Sequence, residues 1–304
     1  MRVVFLCLLV LVLASCSTPS QSQTAITGTD GVVLTPVYVP SSVFEGEDFS
    51  ITYRLENRGS VPITQDNPGS LIVNVDPLYL SFIDSSSRFP NQYFWLSPRT
   101  RFSQGESAFV NLHLRANSID RFSQEIRTRI LTTVCYPYES IITSEVCIER
   151  DRQTDPGSVV CRAGPVSPAS VGSPLVVNSV QTRTGRVGEG SDARLVPQFR
   201  IELVNRGSGI PSAGTCDSQG GLNSALVQVS VLNELLDCQG MTDPDFDGFG
   251  EVRFINNRAS LSCTIPIFSS SLFPATQGNF LSLVTVHMKY SYRESDQSEV
   301  RIVR

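Results

Sequence analysis

The chain has 304 residues, enough for two domains of ordinary size. Hydrophobic residues make up 40% of it and charged residues 17%, so neither half is too polar to bury a core. The formal net charge is -5, and Lys289 is the only lysine among 24 basic residues; arginines scattered in this way give no basic patch of the kind that holds nucleic acid.

In chain order, residues 1–16 carry one positive charge at Arg2, then a short apolar run, then small residues. That order marks a secretory signal, and the run falls short of the roughly 20 residues that span a bilayer. Its end, Leu13-Ala14-Ser15-Cys16, resembles the lipobox of prokaryotic lipoproteins, in which the peptide is cut before the cysteine and the cysteine is acylated. The resemblance implies a lipid on Cys16 and a chain anchored to the outer face of the cytoplasmic membrane or another membrane of the envelope. A plain signal peptide, or an uncleaved short anchor, is the alternative. Residues 17–31 are polar and hold little that can pack, as in a flexible tether.

The first domain is expected over residues 32–150. Phe49, Ile51, Tyr53 and Leu55 alternate with polar residues, the period of a half-buried strand. That strand stops at Asn57-Arg58-Gly59, where Asn and Gly supply a turn. Strands follow at 71–75, 109–114, 126–138 and 144–149, and an aromatic stretch containing Phe82, Phe89, Tyr93, Phe94 and Trp95 lies between them. Residues 151–173, with Pro156-Gly157, Pro165, Pro168 and Gly172, read as a linker.

The second domain, 174–304, repeats the first. Phe199 to Ser208 echoes Ile51 to Ser60 at a spacing of 148 residues, and Tyr290-Ser291-Tyr292 echoes Tyr136-Pro137-Tyr138 at a spacing of 154. The change in spacing places an insertion around Cys238–Cys263. About seven strands in the first domain, turn signals between them and no sustained helical period predict an all-β fold. The expected architecture is two tandem immunoglobulin-like antiparallel β-sandwiches.

The strand and turn at 199–207, with its weaker echo at 51–59, resembles the CARDB-type immunoglobulin-like domains of archaeal and bacterial surface proteins. Those domains commonly occur in tandem and serve as adhesion or spacer modules, and the resemblance carries over no catalytic residue.

Cys7 leaves with the signal, so six cysteines remain besides Cys16: Cys135, Cys147, Cys161, Cys216, Cys238 and Cys263. An even number in an exported chain predicts three disulfides, and the absence of CxxC spacing argues against a zinc knuckle. A hairpin turning at Ile141 would set Cys135 opposite Cys147 on the outer face of the sheet. The remaining pairs are then expected to be Cys161–Cys216 and Cys238–Cys263.

Three features could carry chemistry. Asp243, Asp245 and Asp247, followed by Gly248, have the alternation of a calcium loop, but position twelve is Phe254 and lacks the closing carboxylate. The competing reading is a solvated Asp- and Gly-rich turn. Tyr93 and Trp95 flank Phe94, so if the segment is a strand one of its faces points away from the core; exposed aromatics of that kind stack on sugar rings, and the competing, favoured reading is that the cluster fills the core or packs between the two domains. The histidines are His113 and His287, one in each half, which leaves Ser-His-Asp or Cys-His catalysis little to work with. The expected role is non-catalytic, a lipid-anchored cell-surface module for adhesion, spacing or assembly, whose partners are the membrane and other surface proteins or glycans. The alternatives are binding of a glycan or cell-wall polymer through Tyr93 and Trp95, or an accessory role to a hydrolase.

Overall fold

The structure, a computed structural model, describes residues 28–83, 91–149, 161–168, 172–187, 194–217, 221–242, 245–266 and 279–304. The protein is all-β, and no helix occurs among the described residues. The first half of the chain forms β1 (Val32–Tyr38), β2 (Ser42–Phe44), β3 (Asp48–Asn57), β4 (Gly69–Val75), β5 (Leu80–Phe82), β6 (Asn91–Phe94), β7 (Ser107–Ala116) and β8 (Glu125–Ile148). The second half forms β9 (Leu175–Val187), β10 (Arg194–Asn205), β11 (Ile210–Ser212), β12 (Ser224–Val231), β13 (Glu234–Leu235), β14 (Asp237–Gln239), β15 (Gly250–Arg253), β16 (Arg258–Thr264) and β17 (Phe280–Val303).

These strands make three sheets. One is β1-β3-β7-β5, its counterpart is β14-β16-β10-β9, and the third has nine strands with the spine β13-β12-β17-β8-β4-β6. The alternation read in β3 and β10 sets their burial. Ile51, Tyr53 and Leu55, like Phe199, Ile201 and Leu203, are fully inside, and the residues between them face out.

The centre of the nine-stranded sheet differs from expectation. No hairpin turns at Ile141. β8 runs straight on for 24 residues, as does β17, and the two pair antiparallel along their whole length, from Ile148–Phe280 to Glu125–Val303. Residues 139–143 (Glu-Ser-Ile-Ile-Thr) hold no Gly, Asn or Pro that would favour a turn, and buried positions alternate through them without a break. The repeat makes Pro137 equivalent to Ser291, and the ladder sets these two directly opposite each other. A pseudo-two-fold axis therefore passes between them, and each repeat lends the second part of its long strand to the other. This is the geometry of an element exchanged between two copies of one fold, here within one chain.

Even-numbered residues of β8 and β17 face the core along almost their full length, so both four-stranded sheets cover the same face of the central sheet. The sandwich layers expected for 32–150 and 174–304 thus share a sheet that both repeats build.

Four tyrosines sit at the axis on the covered face. Tyr136 lies opposite Tyr292 with ring centroids 5.8 Å apart, and Tyr138 stacks on Tyr290 at 5.6 Å. The hydroxyls of Tyr138, Tyr290 and Tyr292 tie the chain's corners to the central sheet. Tyr138 donates to the Gly172 carbonyl and accepts the Ser60 N–H at 3.1 Å. Tyr290 bonds Ser173 Oγ at 2.9 Å, while Tyr292 donates to Asn205 Oδ1 and accepts the Gly209 N–H, both at 2.9 Å. Burial raises the ionisation of Tyr136, Tyr138 and Tyr290 above the usual phenol range, and it pushes Tyr292 up to about 12. A side chain at Gly31 or Gly207 would strike the hydroxyl of Tyr136 or Tyr292, which explains glycine at both corners.

All six cysteines outside the N-terminal segment are in disulfides, but two of the expected pairs are corrected. The bonds are Cys135–Cys216, Cys147–Cys161 and Cys238–Cys263. Cys135 and Cys147 lie on one uninterrupted strand at about 3.3 Å per residue, so they stand about 40 Å apart and cannot meet. Both do lie on the outer face of the sheet, and each bonds a cysteine brought in by a loop. Cys238–Cys263 joins directly opposed residues of β14 and β16, the one expected pair that forms. Three such bonds are compatible with an oxidising, extracellular environment.

Candidate binding groove

The uncovered face of the central sheet presents the odd-numbered residues of β8 and β17. At the pseudo-two-fold axis this face forms the floor of a groove of about 830 Å³. Pro137, Glu139, Lys289 and Ser291 make the floor. One wall is the 61–68 loop with Tyr93, and the other is the 213–217 loop with Leu226.

Both walls are held from below. Asn57, the turn residue that ends β3, is buried and donates its amide to the carbonyls of Val61 at 2.9 Å and Leu96 at 3.1 Å. Ile63 and Leu96 then bridge the two segments. The opposite loop is clamped to the sheet by Cys135–Cys216, and the Arg293 guanidinium donates to the Cys216 carbonyl at 3.3 Å.

The lining carries the carboxylates of Asp66, Glu139 and Asp217 and one ammonium group, that of Lys289. Glu139 Oε1 is 2.5 Å from His287 Nε2 and 3.9 Å from Lys289 Nζ. The Lys289 ammonium also lies 4.4 Å from the ring centroid of Phe249, which meets the His287 ring in a T-shaped contact. The one cation is thus already engaged, and the groove offers acceptors, an amide at Asn67 and the aromatic face of Tyr93.

Tyr93 stands on β6 and Trp95 immediately beyond it. They are 54% and 53% exposed while Phe94 between them is 7% exposed, so the alternation decides which rings leave the core. Tyr93 lines the groove and Trp95 does not. Phe82 is partly buried against the core, and Phe89 lies outside the described residues.

The Asp-rich segment folds over the same outer face. Asp245 Oδ1 accepts the Phe249 N–H at 2.8 Å and its carbonyl accepts the Gly248 N–H at 2.9 Å, with Gly248 at φ +80. Gln228 donates to the Asp247 carbonyl at 2.5 Å. These bonds describe a tight turn in which the Asp245 carboxylate is committed to its own backbone. Asp243 and Cys16 lie outside the described residues. Among the described residues no three Asp, Glu, His or Cys side chains converge as metal ligands would.

His113 is hydrogen bonded to Ser50 Oγ at 2.8 Å on the outer face of the β3–β7 pair, a different sheet from that of His287. Residues 213–217 and the Pro137–Ser291 floor carry no sequence signal of a site. Only the ladder register brings them beside Tyr93. No protein-family model matches the chain, and no curated protein matches it.

Proposed function

We propose that the protein is a non-catalytic module of the cell surface, held by a lipid on Cys16, and that its adhesive contact is a glycan or cell-wall polymer taken into the outer groove. The observation that carries this reading is Tyr93, a half-exposed aromatic turned out of the core into the wall of a groove whose polar groups, Lys289 apart, are carboxylates, an amide and hydroxyls set among prolines and aliphatic side chains. Aromatic faces stack on the apolar side of sugar rings, and side-chain acceptors take their hydroxyls. The immunoglobulin-like, tandem character of the repeats belongs to the same proposal.

The position of the N-terminus supports it. Gly31 packs against Tyr136 and Gly59, on the covered side of the central sheet, while the groove opens on the other side. A lipid at Cys16 would lead into the folded part from that covered side, opposite the groove. Both histidines are engaged in cross-strand hydrogen bonds on separate sheets, an arrangement suited to structure.

A glycan array on the soluble chain, followed by calorimetry on the best ligand, tests the binding. Tyr93→Ala should weaken that ligand about tenfold or more, and Trp95→Ala should have a smaller effect. Capture of no glycan, or a Tyr93→Ala variant that binds unchanged, sinks the sugar reading. Cys16→Ala should release the protein from the membrane fraction; a variant that stays bound refutes the lipid anchor.

A further inference from the structure

A second surface stands apart from the groove. The outer face of β14-β16-β10-β9 holds a shallow depression of about 500 Å³ lined by Gln181, Arg183, Gln198, Arg200, Gln239, Ser260 and Ser262. The pairing makes these residues neighbours. Arg200 lies opposite Gln181 on one side and Ser262 on the other, and Gln198 lies opposite Arg183. Arg183 and Arg200 are diagonal across β9 and β10, with backbones about 7–8 Å apart.

The repeat supplies a control. The equivalent positions of Gln198 and Arg200 are Ser50 and Thr52 on β3. There the outward side chains satisfy one another: Ser50 bonds His113 at 2.8 Å, Thr52 donates to Asn111 at 2.7 Å, and Arg54 pairs with Glu56 at 3.5 Å. On β9, β10, β14 and β16 the guanidinium, amide and hydroxyl groups that line the depression make no side-chain hydrogen bond or ion pair among the described residues. Among the described residues, the carboxylates on these strands stand outside the depression. Glu202 is turned to Ser179 and Asn178, and Asp237 lies at the far corner beside Thr264.

We propose that this face is a second binding site, for an acidic polysaccharide of the uronate type. Each guanidinium presents a planar fork that matches a carboxylate. The amides of Gln181, Gln198 and Gln239 and the hydroxyls of Ser260 and Ser262 match ring hydroxyls. The open face of the sheet suits a linear chain, and two unpaired guanidiniums spaced along it suit a polymer with sparse charge. Nucleic acid, with about one charge per 1.7 Å of duplex, needs a denser basic surface. This inference is independent of the groove at Tyr93.

The test is calorimetric titration of the soluble chain with a short oligogalacturonate, its methyl ester and a short polyphosphate. The acid should bind, and both its methyl ester and the Arg183→Gln/Arg200→Gln variant should lose at least about tenfold in affinity. Tyr93→Ala should bind the acid as the parent does, which separates the two sites. Both arginines are exposed, so the variant should keep the parent's circular dichroism and melting temperature. Absence of binding, equal affinity for acid and ester, indifference to the arginine substitutions, or binding of polyphosphate in place of the uronate would each overturn the proposal.

Discussion

Tyr292→Phe and Tyr136→Phe remove the same atom from the two ends of one rung of the ladder, yet they should have different consequences. The Tyr292 ring is 1% exposed, and its hydroxyl donates to Asn205 and accepts the Gly209 N–H. Asn205 Oδ1 keeps the Gly207 N–H at 3.2 Å and its amide keeps the Gly209 carbonyl at 2.8 Å, so the loss falls on the Gly209 N–H. A neutral hydrogen bond contributes about 1 kcal/mol net, and a buried donor left without a partner costs about 1–3 kcal/mol. Tyr292→Phe should therefore destabilise the protein by about 2–3 kcal/mol. The Tyr136 ring is fully buried, but its hydroxyl lies beside the Val32 backbone without a well-aligned partner. Removing that oxygen should be neutral or stabilise by up to about 1 kcal/mol. Urea unfolding measures both, with the midpoint shifting and the slope unchanged. Tyr292→Phe should also lower Tm by about 4–8 °C. Equal losses in the two variants, or a larger one in Tyr136→Phe, would refute the claim that the Tyr292 hydroxyl holds the Asn205–Gly209 corner.

Two further predictions concern the same ladder. Burial raises the four axial tyrosines above the ordinary phenol value, with Tyr292 at about 12. Groups whose folded value exceeds the unfolded one contribute stability that is complete below about pH 10 and lost as pH rises through 12. Tyrosinate absorbance should show these four ionising together with loss of the fold, and their titration near pH 10 in a protein still folded would contradict their burial. A protease site introduced between Glu149 and Cys161 should, once cut, leave two chains joined by Cys135–Cys216 and Cys147–Cys161. After reduction the chains should still elute as one species, held by the β8–β17 ladder, and part only in denaturant. Parting on reduction alone would mean that the central sheet is not shared.

The sequence alone determined what depends on local period. Alternation in Phe49–Leu55 and Phe199–Val204 told strand from helix and inside from outside, because in an extended chain successive side chains point to opposite faces. The same rule put Tyr93 and Trp95 on the face opposite Phe94, and the structure decided that Phe94 is the buried member. The repeated Tyr-x-Tyr marked equivalent places in two copies, and the structure puts both at the centre of the molecule.

The tertiary structure decided whether β8 turns back at Ile141 or runs on. A hairpin centred there and a straight strand bury the same even-numbered residues, so alternation does not separate them, and the only local sign against the turn is the lack of Gly, Asn or Pro at 139–143. What separates them is the partner. β17 carries the same pattern, and pairing two long equivalent strands satisfies both backbones along 24 residues. The disulfide pattern follows from that choice, since the straight strand holds Cys135 and Cys147 apart and leaves each to a loop. So does the groove, because laying Pro137 against Ser291 is what brings the 61–68 and 213–217 loops to face each other across one floor. Long-range register carries that information, and the side-chain alternation within either strand is blind to it.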